Sequence, residues 1–250
     1  MTGTQTLMAR VGLGVAAAAA GFMLVSLRRL RDLPCARFDR LLFAAFAASR
    51  LGLFAAVFVV LKIAPRGDTP AYYFGQAEMV LRGLVPYRDF VSSYAPLHPY
   101  LDAGMVLAWH SPLAIMLASV LAELLLLPIW LRAGREFLAE DSLRVAALLY
   151  LTSPLSVQFV AIDGQDNVVI AVLLGLAVWL LLRSRAFGAG VAFGASVAGI
   201  KFLPLLYAPA FFLATPRRWR LTAGALAVMA TVYGGFALFH VPVMGAVAAE

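Results

Sequence analysis

The sequence predicts an all-α, polytopic bundle of transmembrane helices, and three observations carry that reading. Of 250 residues, 63% are hydrophobic and 13% charged, against about 45–50% apolar and about 25% charged in a soluble domain. The mean hydropathy is +0.89. Several runs of 15 to 24 residues hold at most one charge, the pattern of helices that satisfy their backbone polar groups internally in lipid. A soluble globular protein is excluded.

Each element follows from its flanking charges, because short loops rich in Lys and Arg stay cytoplasmic. Residues 11–27 form a retained first span: the alanine core ends in Arg28 and Arg29 rather than a small-residue cleavage site. Five arginines and two aspartates between positions 28 and 40 mark the first cytoplasmic loop. It contains the single cysteine, Cys35, which cannot form an internal disulfide. Residues 41–64 run outward, long enough for roughly 36 Å of helix. Residues 65–100 are then a structured extracytoplasmic loop holding Asp68, Arg82, Arg88 and several tyrosines, and polar stretches of that length are usually functional.

Residues 96–109 are too short to span and lie in the outer interface. Residues 112–131 return inward to a mixed-charge loop, and residues 145–162 go outward, delivering Asp163 and Asp166 beside the loop of Asp68. Residues 167–182 lead back to Arg183 and Arg185. The next positive cluster is Arg217, Arg218 and Arg220, so the stretch between must cross an even number of times. It is split near residues 201–204, where Pro204 supplies a break. Residues 221–239 complete about eight crossings in one transmembrane domain, 1–250, with further outer-face site segments at 163–167 and 199–204. The excess of 20 Lys plus Arg over 13 Asp plus Glu reports this topology, and a nucleic-acid partner is discounted.

Ionisable groups within apolar runs cost about 2.5–3.5 kcal/mol on insertion scales, which makes Arg50, Asp102, Glu123 and Lys201 functional candidates. Arg50 fits a snorkelling or pairing role as well as a ligand role, and Glu123 fits a partner on another helix, Arg50 among them. His98 and Asp102, four residues apart, can share a local hydrogen bond. Lys201, at the expected helix break, suits a phosphate or a lipid headgroup. Asp68 suits a general base or a helix cap. Asp163 and Asp166, with Gln165 between them, suit a cation, sugar hydroxyls or helix capping. No His and Cys metal spacing, no phosphate-binding P-loop and no serine-hydrolase elbow is present.

Taken together these stretches form a series: Asp68, Tyr72, Tyr73 and Phe74; Gly83, Pro86 and Tyr87; Tyr94, Pro96 and Leu97; Ser153 and Pro154; Gly164, Gln165, Asp166 and Asn167; Gly188, Gly194, Lys201 and Pro204. In order and spacing the series resembles GT-C glycosyltransferases of the polyprenyl-phosphate-mannose-dependent type, including bacterial mannosyltransferases and the first GPI-anchor mannosyltransferase. The resemblance implies an inverting, membrane-embedded transferase that moves a sugar, mannose first, from polyprenyl phosphate to a glycolipid, polysaccharide or protein acceptor outside the cytoplasm. It makes Asp68 the catalytic base. Lys201, with Arg88 or Arg82, would hold the donor phosphate. Asp166, Gln165, Tyr87, Tyr94 and His98 would line the sugar or acceptor. Pro70 stands where some relatives carry a second acid, so no metal or other cofactor is assigned and a divalent ion stays open. The family carries further spans beyond the matched part, so the chain reads as a shortened or partial relative.

Two other classes share some of these features. A transporter also uses broken helices with buried charges, although no inverted repeat is present. A polyprenyl-phosphate-binding accessory protein without activity would need the same lipid site. The Ala-, Leu- and Arg-rich composition suits a GC-rich bacterial source and a plasma-membrane, cell-envelope location.

Overall fold

The computed structural model describes residues 3–241 and Val243. Among these residues there is no strand, and helices follow one another along the chain. The first, α1 (Gly3–Ser26), is followed by the short α2 (Arg28–Arg31) and by α3 (Cys35–Phe54), which continues in a π-wound stretch, Ala55–Val60. A second π-wound stretch, Thr69–Tyr73, opens α4 (Phe74–Leu81). After a loop come α5 (His98–Ala108), α6 (Pro112–Gly134) and α7 (Glu140–Leu151), with a third π-wound segment, Ser156–Ile162, bent 52° from α7. The chain closes with α8 (Asn167–Leu182), α9 (Ala186–Gly199), a 3-10 turn at Leu203–Tyr207, α10 (Ala208–Leu213) and α11 (Arg218–Leu238).

Local chemistry sets several of these boundaries. Ser111 caps α6 by accepting from the Leu113 N–H at 3.2 Å, with Pro112 at the first helical position, where its missing N–H costs nothing. Glu140 and Asp141 sit in the first turn of α7, where carboxylates complement the helix dipole. α9 stops at Gly199, and Lys201 lies in the non-helical link before Pro204.

Among the described residues, four helical stretches are long and apolar enough to cross a membrane: Met8–Ser26, Cys35–Val60, Pro112–Gly134 and Arg218–Leu238. The bent pair Glu140–Leu151 and Ser156–Ile162 makes a fifth if it counts as one span. The expected eight therefore resolve into four or five full-length candidates plus shorter apolar helices. At 16 residues, α8 is about 24 Å long, short of a hydrocarbon core of about 30 Å. Large apolar side chains such as Phe22, Leu107, Leu206 and Leu238 stand exposed, as befits a surface solvated by lipid rather than water.

Two buried clusters hold the bundle. Phe38, Leu42 and Phe46 of α3 pack on Leu124, Leu127 and Leu131 of α6 and on Leu143 and Leu148 of α7. The second joins α8, α9, α10 and α11 around Phe193, Val197, Phe211 and Leu221. Here α9 and α11 touch backbone to backbone. A Cβ on Gly190 would fall 1.9 Å from the Leu221 carbonyl oxygen, and one on Gly224 would fall 2.1 Å from that of Phe187. Small residues drive such contacts in lipid, where no hydrophobic effect pushes helices together. Gly224→Ala is expected to destabilise the protein by about 1–3 kcal/mol, because backbone cannot step aside as a side chain can. Gly234→Ala on the same helix, with open space around it, should leave the unfolding midpoint in detergent unchanged.

α6 also gives the bundle two distinct ends. Met116, near its start, lies against Gly164, while Arg135, just beyond its end, pairs with Asp39 at 2.7 Å and Glu140 at 3.2 Å. The Arg31 to Asp141 and Arg144 to Glu140 pairs share that second end.

Candidate functional site

At the first end, two π-wound segments meet, and such turns are frequent at functional sites because they re-aim side chains. Gly67, at φ +90°, turns the chain against Asp163, with its Cβ position 3.7 Å from that of Asp163. Asp68 follows, half-buried, and its Oδ2 accepts a 2.8 Å hydrogen bond from Gln165 Nε2. No hydrogen bond reaches its other oxygen among the described residues. The buried Thr69 hydroxyl donates to the carbonyls of Asp163 and Gly164, at 3.0 and 3.1 Å.

Gly164 is the pivot of the facing segment. Its φ is +65°, and a Cβ would lie 2.4 Å from Met116 Cγ and 2.9 Å from Thr69 Oγ1. Only glycine fits both the space and the left-handed backbone. The turn presents Gln165 to Asp68 and directs Asp166 into the protein. Asp163 itself turns away, held by a two-point pair with Arg10 at 2.7 and 3.1 Å.

Asp166 sits at the start of α8 without capping it by its side chain. It is buried and accepts from the Tyr73 hydroxyl at 3.3 Å and from His98 Nε2, while Lys201 Nζ lies 3.4 Å away. Desolvation opposes its ionisation, but the His98 hydrogen bond, and the charges of His98 and Lys201, hold its carboxyl below the usual carboxylate range. Burial, reinforced by the charge of Asp166, pushes the Tyr73 hydroxyl up, so it stays a donor.

His98 is 1% exposed, so it contacts protein groups only. Its ring stacks on Tyr94 at 4.5 Å between centroids and meets Tyr73 edge-on at 5.0 Å. Nδ1 lies 3.2 Å from Asp102 Oδ2. The imidazole is thus clamped between two carboxylates, one from its own helix and one from the start of α8.

Burial first, then the charge of Asp166, raises the Asp102 carboxyl to about 7, against the opposing pull of His98. The folded protein therefore keeps that proton where the unfolded chain has lost it. This contribution to stability is fully present below about pH 4, declines as pH rises to about 7, and is flat above. Asp102→Asn should flatten the stability profile over that window, which thermal unfolding in detergent as a function of pH would read. An unaltered slope would count against the raised carboxyl.

Lys201 reaches the same cluster from the helix break. It donates to Asn167 Oδ1 at 3.0 Å and lies 5.2 Å from the centre of the Tyr94 ring. Two backbone bonds fix that break to the loop: Ala95 N–H to the Ile200 carbonyl at 3.0 Å, and Leu97 N–H to that of Ala198 at 3.2 Å.

Asp68, Tyr94, His98, Gln165, Asp166 and Lys201 are accordingly brought together. Tyr87, at φ +65°, donates its hydroxyl to the Tyr94 carbonyl and packs its ring on Phe236. Arg88 is exposed and paired with Asp89 at 2.7 Å, and it lines a largely apolar cavity of about 670 Å³ between Val85, Tyr100, Val232 and Phe236. Arg82 is exposed and lies 4.0 Å from Glu78. Neither arginine bonds to Asp68, Asp166 or Lys201. The sequence reading left Tyr73, Asn167 and Arg10 without roles. Tyr73 and Asn167 adjoin motif residues, whereas nothing local marks Arg10 as the partner of an acid 153 positions away. Among the described residues, no group of three or more His, Cys, Asp or Glu side chains is arranged to hold a metal ion.

A family model described as glycosyltransferase family 87 matches residues 94–246. No curated protein and no solved structure matches the chain. The matched span takes in Tyr94, His98, Gln165, Asp166 and Lys201, whereas Asp68, before α4, lies outside it. Covering well over half of the sequence, the match shows that this helical membrane protein belongs to glycosyltransferase family 87, a family of GT-C type.

Proposed function

We propose that the chain is an inverting glycosyltransferase that moves a sugar, mannose in the first instance, from polyprenyl phosphate to an extracytoplasmic acceptor. The observation that carries the reading is one cluster holding both a half-buried carboxylate, Asp68, one oxygen of which receives no hydrogen bond from the described residues, and a cation, Lys201, bridged by the run Gln165, Asp166, Asn167. Single displacement at an anomeric carbon needs those two charges on opposite sides of the sugar.

Asp68 takes the proton of the acceptor hydroxyl as that oxygen bonds to the anomeric carbon. The carbon–oxygen bond to the donor phosphate breaks, and its electron pair leaves on polyprenyl phosphate. Lys201 meets the charge growing there, an electrostatic contribution that is largest in a water-poor site. Gln165 aims Asp68. Asp166, fixed by His98 and Tyr73, holds Lys201 in place and stands at the sugar together with Tyr94. His98 acts through Asp166, and Tyr87 supports the backbone at Tyr94. Arg88, at the rim of the apolar cavity beside α11, is placed to meet a lipid-borne phosphate, with Arg82 further out.

The arginines of positions 28–40, 183–185 and 217–220 support a cytoplasmic assignment for the far end of the bundle. The site then opens outside the plasma membrane, and α8, α9 and the Leu203–Leu213 stretch supply the short passages that bring the crossings to eight. The acceptor is a glycolipid, polysaccharide or protein, and the bilayer delivers the donor.

The test is transfer of radiolabelled mannose from polyprenyl-phosphate-mannose by the purified chain in liposomes carrying candidate acceptors. Label entering the acceptor with release of polyprenyl phosphate is expected. Donor binding without transfer to any of the three acceptor classes would replace the enzyme with a lipid-binding accessory protein.

A further inference from the structure

A second charged cleft lies at the far end of the bundle, away from Asp68. It has a volume of about 280 Å³ and runs between the first turns of α3 and the last turns of α6, lined by the apolar Phe43, Leu127 and Leu131 and by Asp39, Arg40, Arg132 and Arg135. The three arginines are not equivalent. Arg135 is neutralised by Asp39 and Glu140. Arg40 gives one hydrogen bond to the Ala36 carbonyl at 3.2 Å, and no carboxylate pairs with either Arg40 or Arg132 among the described residues. Two exposed guanidiniums therefore line a short, largely apolar cleft between the first turns of α3 and the last turns of α6.

Nothing in the proposed transfer reaction uses this cleft. Its polarity suits a phospholipid: an anionic headgroup at the guanidiniums, acyl chains against the apolar lining. Guanidinium presents paired donors that match phosphate oxygens. Basic pockets between transmembrane helices on the cytoplasmic side suit anionic headgroups, whose surface charge draws such residues to the membrane. Free phosphate would satisfy the arginines but leave the apolar Phe43, Leu127 and Leu131 without a partner.

We propose that Arg40 and Arg132 form a site for one anionic phospholipid of the cytoplasmic leaflet, its phosphate between the two guanidiniums and its chains on Phe43 and Leu127. The lipid closes the seam between α3 and α6. Because it binds only the folded bundle, it stabilises that state by mass action.

The test is native mass spectrometry of the purified chain titrated with phosphatidylglycerol or phosphatidylcholine, with thermal unfolding beside it. The wild type should retain phosphatidylglycerol selectively and gain thermal stability from it. Arg40→Gln with Arg132→Gln should weaken retention by about thirtyfold, at the usual contribution of each basic residue near an anionic surface. Arg40→Lys with Arg132→Lys keeps the charge and should restore most of the binding. Arg28→Gln with Arg29→Gln removes the same charge from the neighbouring α2 and should change little. Equal retention of both lipids, or equal loss in the α2 control, would overturn the site. Displacement by millimolar inorganic phosphate would overturn the lipid assignment in favour of a free anion. None of these readouts depends on sugar transfer, so the site and the transferase reading fail separately.

Discussion

Asp68→Asn is expected to abolish sugar transfer while the protein still folds and still binds the lipid donor. The substitution is isosteric, and the asparagine oxygen can keep accepting from Gln165 Nε2, which lies 2.8 Å from the carboxylate. The amide cannot take a proton from the acceptor hydroxyl. General-base contributions run at about 10²–10⁴-fold, so the loss should fall in kcat, with donor affinity within a few-fold of wild type. Single-turnover transfer from labelled donor, paired with a donor-binding assay, separates these quantities. Gln165→Ala provides the contrast, because it frees the Asp68 carboxylate without removing it. A smaller rate loss is expected there, from misaligned rather than missing base. If Asp68→Asn kept a tenth or more of the wild-type rate, the proton would have to go elsewhere.

Part of this arrangement was legible in the sequence. Two positive loops flanking an apolar stretch required a break near Lys201, and α9 does end at Gly199. Topology brought Asp163 and Asp166 to the loop of Asp68, and the structure brings Gly67 against Asp163 and Gln165 onto Asp68. The pairing read as one option for Arg50 and Glu123 is present, whereas His98 Nδ1 and Asp102 Oδ2, one turn apart on α5, approach to 3.2 Å without forming the expected hydrogen bond.

What stayed hidden has two physical causes. Hydropathy reports how apolar a stretch is and not where its helix stops, so eight apolar passages were expected where, among the described residues, four or five helices have spanning length. Ser153 and Pro154, and the arginines at 183 and 185, end helices before they reach that length. The second cause is competition for charge. Arg82 and Arg88 looked free to bind phosphate, but Glu78 lies 4.0 Å from Arg82 and Asp89 2.7 Å from Arg88, each within four residues, so a phosphate there would share those exposed guanidiniums with a carboxylate. Local pairs of that kind cost little chain entropy to form. The long-range ones, such as Arg10 with Asp163, depend on how α1 packs, and a single sequence does not state that.

The largest loss of stability is expected from Glu123→Ala. Glu123 and Arg50 are almost fully buried, and Arg50 Nε lies 3.3 Å from Glu123 Oε2. The Ser156 hydroxyl sits against both, the Tyr150 hydroxyl donates to Glu123 Oε1 at 2.8 Å, and the Arg50 guanidinium rests on the Phe46 ring at 4.4 Å. Removing the carboxylate strands a guanidinium in an apolar core. Breaking one side of a buried pair costs about 3–5 kcal/mol, whereas replacing both sides with apolar groups of similar volume is often neutral. The double variant Arg50→Met with Glu123→Met should therefore be more stable than Glu123→Ala alone, although the Ser156 and Tyr150 hydroxyls then lack their acceptor. Denaturant midpoints in mixed micelles decide this, and equal instability of the two variants would show that shape rather than charge pairing holds the three segments. The consequence reaches the site as well. Ser156 opens the π-wound turn that delivers Gly164, Gln165 and Asp166, so a stable double variant with slowed transfer would separate what the polar network does for the active end from what it does for the fold.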